Sequence, residues 1–398
     1  MSRSTLRVLM LLENCPYPQD IRVRLEAETL ATAGHRVTVI CPRAAGQPWR
    51  EERNGVRLFR FPYPQARRGL LSYLVEFTYA LAVFSIGVLW RWGRDGVDVI
   101  HLHNPPDMLF LATVLPRLWG KRIIFDHHDL SAEIYQAKQT APKAWVCCLL
   151  HSLERWSCRF ADRVITVNES YRHRDITRNG VDPERICVVR NGPDLREFPA
   201  SDLCEPSNAH EPIRIGYIGY IGRQDGIDDL LLALRHLKDN LSYRNWTCQI
   251  VGPAEEPQRL QHLIVDLGLA DWVEWTGHKP HGEALRLLSA MDIGAAPEQA
   301  NSLNDQSTMI KVLEYMAAGK PVVAYDLTEH RVSAADAALY ARPNQPDDLA
   351  RQIARLLDDA DLRARLGATG RRRVERELAW SFSAEHLLAC YRALAETV

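Results

Sequence analysis

Residues 304 to 323 read Asn304-Asp305-Gln306-Ser307-Thr308-Met309-Ile310-Lys311-Val312-Leu313-Glu314-Tyr315-Met316-Ala317-Ala318-Gly319-Lys320-Pro321-Val322-Val323. In order, the run holds a polar loop, a helix with a start and a stop signal, and the opening of a strand. Ser307 or Thr308 can cap the helix, Gly319 stands where a left-handed residue closes it, and Pro321 lies just beyond. On a helix over 307–318, Met309, Ile310, Leu313, Met316 and Ala317 share one face. Ser307, Lys311 and Glu314, at i, i+4 and i+7, line the other with the small Ala318. A helix start with exposed N–H groups attracts phosphate, and a carboxylate two turns along is placed to hold ribose hydroxyls. The plainer alternative is a surface helix with an ordinary Lys–Glu pair. The succession of loop, capped helix and strand favours the first reading.

Strands and helices alternate on both sides of this run. Leu6 to Leu12 reads as a buried strand, Asp20 to Ala33 as a helix capped by Asp20 and closed by Gly34, and His35 to Cys41 as a second strand: a β-α-β unit. Short apolar runs follow at 97–102, 122–125, 163–167 and 186–189. Around 199–212 the pattern lapses into Pro and small polar residues, as a linker over 201–212 would. It restarts with strands at 213–218, 247–251, 273–275, 293–295 and 322–325 and helices at 227–237 and 257–267. The expected fold class is α/β, with two Rossmann-like doubly wound domains over 1–200 and 213–380. A last helix, 381–398, packs on its own domain or back on the first.

Length agrees with this division, since the 398 residues exceed the roughly 250 at which single cores stop growing. The apolar fraction of 46% and charged fraction of 25% exclude disorder and fibrous classes. A net charge of -1 argues against nucleic acid as a partner. The nine cysteines show no regular spacing and no C-x-x-C pair, which points to free thiols in a reducing compartment and to no structural metal. No cleavage site precedes the first strand, so a cytoplasmic location is expected.

The segment Gly69 to Trp90 is mostly apolar with Glu76 as its only charge, and as a helix would be about 33 Å long. A span there would put strand 97–102 on the opposite side of a membrane from the strands it should pair with. Two readings remain: a helix packed on the domain, or an interfacial helix on the inner face of the cell membrane. Arg67, Arg68, Arg91 and Arg94 at its ends favour the second, giving peripheral contact through 67–94.

In the first domain Phe125-Asp126-His127-His128-Asp129-Leu130 follows a strand, which places its polar residues at the carboxyl edge of the sheet, where open α/β folds hold ligands. His101-Leu102-His103-Asn104-Pro105-Pro106-Asp107 occupies the neighbouring edge, with Asn104 and Asp107 as ligand-facing groups or as parts of a proline-set turn. Arg22 and Arg24, in the first β-α segment, reach an acceptor phosphate or are simple surface charges. A metal at the His-His-Asp cluster is disfavoured because no further ligand stands at matching spacing.

Taken together, the 304–323 run, Asn191-Gly192-Pro193-Asp194, Gly219-Tyr220-Ile221-Gly222-Arg223-Gln224-Asp225-Gly226 and Thr328-Glu329-His330-Arg331 resemble the retaining glycosyltransferases of family 4, over nearly the whole chain. Their branch that builds bacterial surface polysaccharides is the most similar. The resemblance implies the GT-B fold, with two domains facing a central cleft, and a nucleotide-sugar donor, UDP-sugar favoured, with no cofactor. It implies that Glu314 binds the donor ribose, that Gly222 and its neighbours face the diphosphate, that Arg223 neutralises the leaving group, and that Ser307 and Thr308 donate to phosphate. His128 matches the family's cleft histidine at the transferred sugar, with His127 the alternative register. Two positions depart from the family. Gln306 stands where a second glutamate is usual, leaving Gln306 and Asp305 as candidates for the donor sugar. Asp225 and Gly226 stand where a basic residue is usual, so neutralisation falls to Arg223 with Lys311.

The implied reaction is metal-independent hexosyl transfer with retention to a lipid-linked or saccharide acceptor, through an ion-pair-like transition state whose charge the site stabilises. Two rivals stand beside it. A Rossmann oxidoreductase is suggested by Gly216, Gly219 and Gly222, whose spacing is not G-x-G-x-x-G. A catalytically silent scaffold is suggested by the two departures.

Overall fold

The computed structural model describes residues 5–63, 70–139, 141–199 and 212–395, without the side chains of 70–74. Arg67, Arg68 and the linker expected at 201–212, apart from Pro212, lie outside the described residues. The chain divides into two units: one runs to Arg190 and resumes at Ser383, and the other is Asn191–Phe382.

The first unit holds β1 (Arg7–Leu11), α1 (Ile21–Thr32), β2 (Arg36–Pro42), β3 (Arg50–Arg53), β4 (Val56–Phe61), α2 (Leu70–Asp95), β5 (Val99–His103), α3 (Val114–Leu118), β6 (Arg122–His127), α4 (Ser131–Lys138), α5 (Ala144–Phe160), β7 (Arg163–Thr166), α6 (Glu169–Thr177) and β8 (Ile186–Val188). Its eight strands run β3-β4-β2-β1-β5-β6-β7-β8, parallel except where β3 meets β4. Alternating Arg and apolar residues in β4, and the charged β3, hid this hairpin from a search for buried runs. Asp20 caps α1 as expected, its side chain accepting from the Val23 N–H.

The second unit holds β9 (Ile213–Ile218), α7 (Ile227–Asp239), β10 (Trp246–Val251), α8 (Pro257–Asp266), β11 (Val273–Gly277), α9 (His281–Ser289), β12 (Ile293–Ala296), α10 (Ile310–Ala317), β13 (Val322–Tyr325), α11 (Thr328–Ala334), β14 (Ala338–Ala341), α12 (Pro346–Asp358) and α13 (Ala360–Arg373). Its sheet, β11-β10-β9-β12-β13-β14, is parallel throughout. The last helix, α14 (Trp380–Ala395), places Tyr391 in the first unit, where its hydroxyl lies 3.0 Å from Nδ1 of His101.

Both sheets are wound in two directions from a central strand: β1 lies between β2 and β5, and β9 between β10 and β12. Ligand crevices in such sheets open at the carboxyl ends of these switch-point strands. The segments there are 12–20 and 104–107 in the first unit, and 219–226 and 297–309 in the second.

Of the apolar segment 69–90, residues 70–90 belong to α2, whose Ala80, Phe84 and Val88 are buried against the first sheet with Leu9, Leu11 and Ile100. Among the described residues no helix is long and apolar enough to cross a membrane.

Candidate active site

In the second unit, β9 ends in a loop built on glycine. Gly226 has φ 68°, and a Cβ there would stand 1.9 Å from the Pro297 carbonyl oxygen, so only glycine lets the β9 and β12 loops approach. A second close approach joins the β9 and β10 loops at Gly252, φ 139°, where a Cβ would meet the Gly219 oxygen at 1.8 Å. Asp225 Oδ2 accepts the Gly222 N–H at 2.8 Å. This corrects one expectation: the Gly222 N–H is engaged within its own turn. It also explains Asp225 and Gly226, which close and reverse that turn where a basic residue was expected. Asn304, buried, donates to the Gln224 and Gln299 carbonyls, both at 2.8 Å, and ties the β9 loop to the β12 loop. Arg223 is 54% exposed at its side chain, with its guanidinium 3.4 Å from Glu256.

The helix of the 304–323 run is shorter than its spacing predicts. It spans Ile310–Ala317, with Met309 as a cap residue that makes no side-chain bond. Neither Ser307 nor Thr308 caps it. Ser307 Oγ donates back to the Leu303 carbonyl at 2.8 Å, and Thr308 Oγ1 bonds the buried Glu329 carboxylate at 3.2 Å. Short polar side chains that can close a turn upon themselves compete with capping, and here the turn wins. Ser307 therefore leaves the helical stripe, while Lys311 and Glu314, three apart, keep it.

Lys311 turns back toward the sheet. Its Nζ lies 2.5 Å from Oε1 of the fully buried Glu298, 2.8 Å from the Tyr217 hydroxyl and 4.2 Å from the Tyr217 ring centroid. A Cβ on Gly219 would come within 3.3 Å of Nζ, so this ammonium lies directly beneath the glycine loop. His330 Nε2 approaches the other Glu298 oxygen at 3.3 Å. Burial opposes ionisation of Glu298, but Lys311 and His330 outweigh it and hold the carboxyl at about 2. Glu298, His330, Tyr217 and Asn304 are site residues that sequence reasoning did not assign. Glu298 immediately follows Pro297 beyond a predicted strand end, the one local signal for it.

Glu314 is partly buried, and its carboxylate accepts no hydrogen bond among the described residues. Burial in first place raises its pKa to about 7, with Glu197 adding to the effect and His281 and Lys311 opposing it. Asp305 accepts from the N–H and hydroxyl of Thr328 at 2.9 and 3.0 Å, so it fixes the start of α11. Gln306 donates to the Ser302 carbonyl at 3.0 Å.

In the first unit Asp126, at the end of β6, gathers a buried network. Arg22 grips it through two bonds, Nε to Oδ2 at 2.8 Å and Nη2 to Oδ1 at 2.6 Å, and donates from Nη1 to the Val189 carbonyl at 2.9 Å. His103 Nδ1 and His128 Nδ1 both meet Asp126 Oδ2, at 3.0 and 2.9 Å. Arg22 is thus neither a surface charge nor open to an acceptor phosphate; Arg24 is partly exposed. Burial works against a charged His128, but the Asp126 carboxylate outweighs it and pushes the pKa up to about 9. With Nδ1–H given to Asp126, Nε2 of His128 makes no hydrogen bond among the described residues.

Three other candidates in this unit are corrected. His127 is fully buried with Nδ1 at 2.9 Å from Asp175, so it faces the interior of the first unit. Asn104 and Asp107 are also buried. Asn104 Oδ1 accepts the His128 and Asp129 N–H groups at 2.9 and 3.1 Å while Nδ2 donates to Asp107 at 2.9 Å. They build the turn that holds His128. His127, Cys158 and Asp175 lie close enough together for a metal, as do Glu26, His101, His103 and Asp126. In the second group Arg22 already supplies the compensating cation, with Nη2 3.2 Å from Glu26.

Residues 20–192 match the family described as glycosyl transferase 4-like domain, and residues 205–373 that described as glycosyl transferases group 1. A D-inositol 3-phosphate glycosyltransferase of Corynebacterium jeikeium is 30% identical over 341 residues, 80% of this chain and 78% of that protein. The chain belongs to the GT-B glycosyltransferases. Its similarity to the 2-deoxystreptamine glucosyltransferase of Streptomyces kanamyceticus is 27% over 371 residues, 87% of this chain and 92% of that one. The Anabaena HepE structure in complex with UDP and glucose shares the fold with a TM-score of 0.74 at 17% identity, covering 98% of this chain and 100% of that chain. In this glycosyltransferase the Lys311–Glu314 stripe and the glycine loop sit at the switch point of the second unit's sheet.

Proposed function

We propose that this glycosyltransferase moves a hexosyl group, with retention, from a nucleoside diphosphate sugar to a hydroxyl of a lipid-linked or saccharide acceptor, at the inner face of the cell membrane. The observation that carries the donor assignment is Glu314: a partly buried carboxylate without a hydrogen-bond partner among the described residues, on the helix whose Lys311 underlies the glycine loop. A carboxylate so placed accepts two vicinal ribose hydroxyls, and the ammonium and the start of α10 favour a diphosphate. A UDP-sugar is the favoured donor; the relative HepE was solved with UDP and glucose.

In the reaction the bond from the anomeric carbon to the β-phosphate oxygen breaks, and a bond from the acceptor oxygen to that carbon forms on the same face. The acceptor proton passes to the departing phosphate oxygen. Arg223 and Lys311 stabilise the charge growing on the diphosphate. A second acceptor class, a compact cyclitol, is favoured by the two relatives named for inositol phosphate and 2-deoxystreptamine.

The test incubates the protein with UDP-, GDP- and dTDP-sugars in the presence of membrane lipid extract, inositol phosphate or 2-deoxystreptamine, reading products by mass spectrometry and anomeric configuration by NMR. An α-linked product from an α-linked UDP-sugar is expected. Release of no nucleotide from any donor contradicts the proposal and favours a silent scaffold.

A further inference from the structure

The helical layer on one face of the first sheet has an outer surface that its core does not use. Phe110, Ala112 and Cys158 pack inward in one cluster with Ile123 and Val164; the Phe110 and Phe160 rings, 5.3 Å apart, join the turn before α3 to α5, and the Arg117 guanidinium of α3 lies 4.5 Å from the Phe160 ring centroid. Outward, Leu115, Leu118 and Trp119 at α3, and Trp145, Leu149 and Trp156 on α5, are exposed, the three indoles by 64%, 54% and 54%. The α5 residues stand at i, i+4 and i+11, one stripe. Scattered apolar residues on a surface are ordinary, but two adjacent helices that both present Trp and Leu outward mark an interaction site.

The charge pattern selects the partner. From Met108 to Arg122 there is no acidic residue; Lys121 is basic, as are Arg117 and Arg122, which both pair with Asp162, at 3.7 and 3.4 Å. From Tyr135 to Phe160 the only acid is Glu154, which is buried, against Lys138, Lys143, Arg155 and Arg159. A second copy seated across a two-fold axis would set this basic face against itself. An anionic bilayer satisfies both features, with indoles at headgroup depth and basic side chains at lipid phosphates. We infer that the outer faces of α3 and α5 dock the first unit on an anionic lipid surface. This deepens the lipid-linked reading of the acceptor and is separable from it, because docking is measured without either substrate.

The test is flotation of the full chain with vesicles of phosphatidylcholine alone, or with about one third phosphatidylglycerol, at low and high salt. Partition onto the anionic vesicles is expected to exceed that onto neutral ones by about tenfold and to fall with salt. The variant Leu118→Glu, Trp119→Glu, Trp156→Glu is expected to lose about tenfold or more, with UDP binding and circular dichroism unchanged. The inference is overturned if the wild type does not float, if the variant floats as well as the wild type, or if these substitutions abolish a self-association in sedimentation without affecting flotation. Vesicle binding combined with transfer only to soluble cyclitols would keep the docking surface and reject the lipid-linked acceptor.

Discussion

The Lys311 ammonium lies 2.5 Å from Oε1 of Glu298, a carboxylate with no solvent exposure. The pair joins the helix of the candidate donor site to the end of β12. Removing one partner strands the other charge in the interior, so Glu298→Gln should destabilise the chain by roughly 3 kcal/mol at pH 7. Glu298 is held at about 2, below its ordinary 4.5, so its contribution is complete above pH 4.5 and lost as pH falls through 2. Urea unfolding should accordingly show the gap between wild type and variant closing over that window; a gap independent of pH contradicts the pairing.

Glu314 has the opposite sign. Its pKa is raised from 4.5 to about 7, so the native state holds the extra proton, and stability falls as pH rises from 4.5 through 7. Glu314→Gln removes that cost. The variant should gain roughly 1 to 3 kcal/mol at pH 8 and nothing at pH 4, while losing transfer activity. Thermal unfolding at both pH values checks it, and equal gains at both would contradict the assignment. For the wild type, the KM for donor should rise below pH 7, as the carboxylate protonates.

His128 carries a third pH signature. Its pKa of about 9 lies above the ordinary 6.5, so the stabilisation from Asp126 is complete below pH 6.5 and lost as pH rises through 9. His128→Gln should cost roughly 2 kcal/mol at pH 6 and little at pH 10. An NMR titration that places the His128 pKa at or below 6.5 would contradict the network.

Gly226→Ala tests the loop. With φ 68° and the Pro297 oxygen 1.9 Å from the added Cβ, the β9 and β12 loops must part. A loss of roughly 2 kcal/mol or more is expected, together with weaker UDP binding. Undisturbed affinity in a stable variant would show that the loop approach is not needed.

Much of the fold was legible because parallel strands buried on both faces read as apolar runs, as at Leu9 to Leu12 and Ile215 to Ile218. The β3–β4 hairpin was not, because Arg57 and the charged 50–53 break that signal. At the site, the linear spacing placed Lys311 and Glu314 on one helical face but could not show that Lys311 bends back to Glu298, thirteen residues earlier. Nor could it separate a polar residue that meets a ligand from one that holds a loop. Asp305, Asn104 and Arg22 are of the second kind, and only their long-range partners Thr328, His128 and Asp126 reveal it. His128 and His127 are neighbours in sequence, and only the partners Asp126 and Asp175 tell them apart.

The central claim, that Glu314 holds the donor nucleotide, is tested most directly by calorimetric titration of UDP into wild type and Glu314→Ala. Saturable binding to the wild type, weakened by about tenfold to hundredfold in the variant, is the expected result, the loss of hydrogen bonds to a charged group. Equal affinity in the two proteins, or no binding to the wild type, would contradict the account.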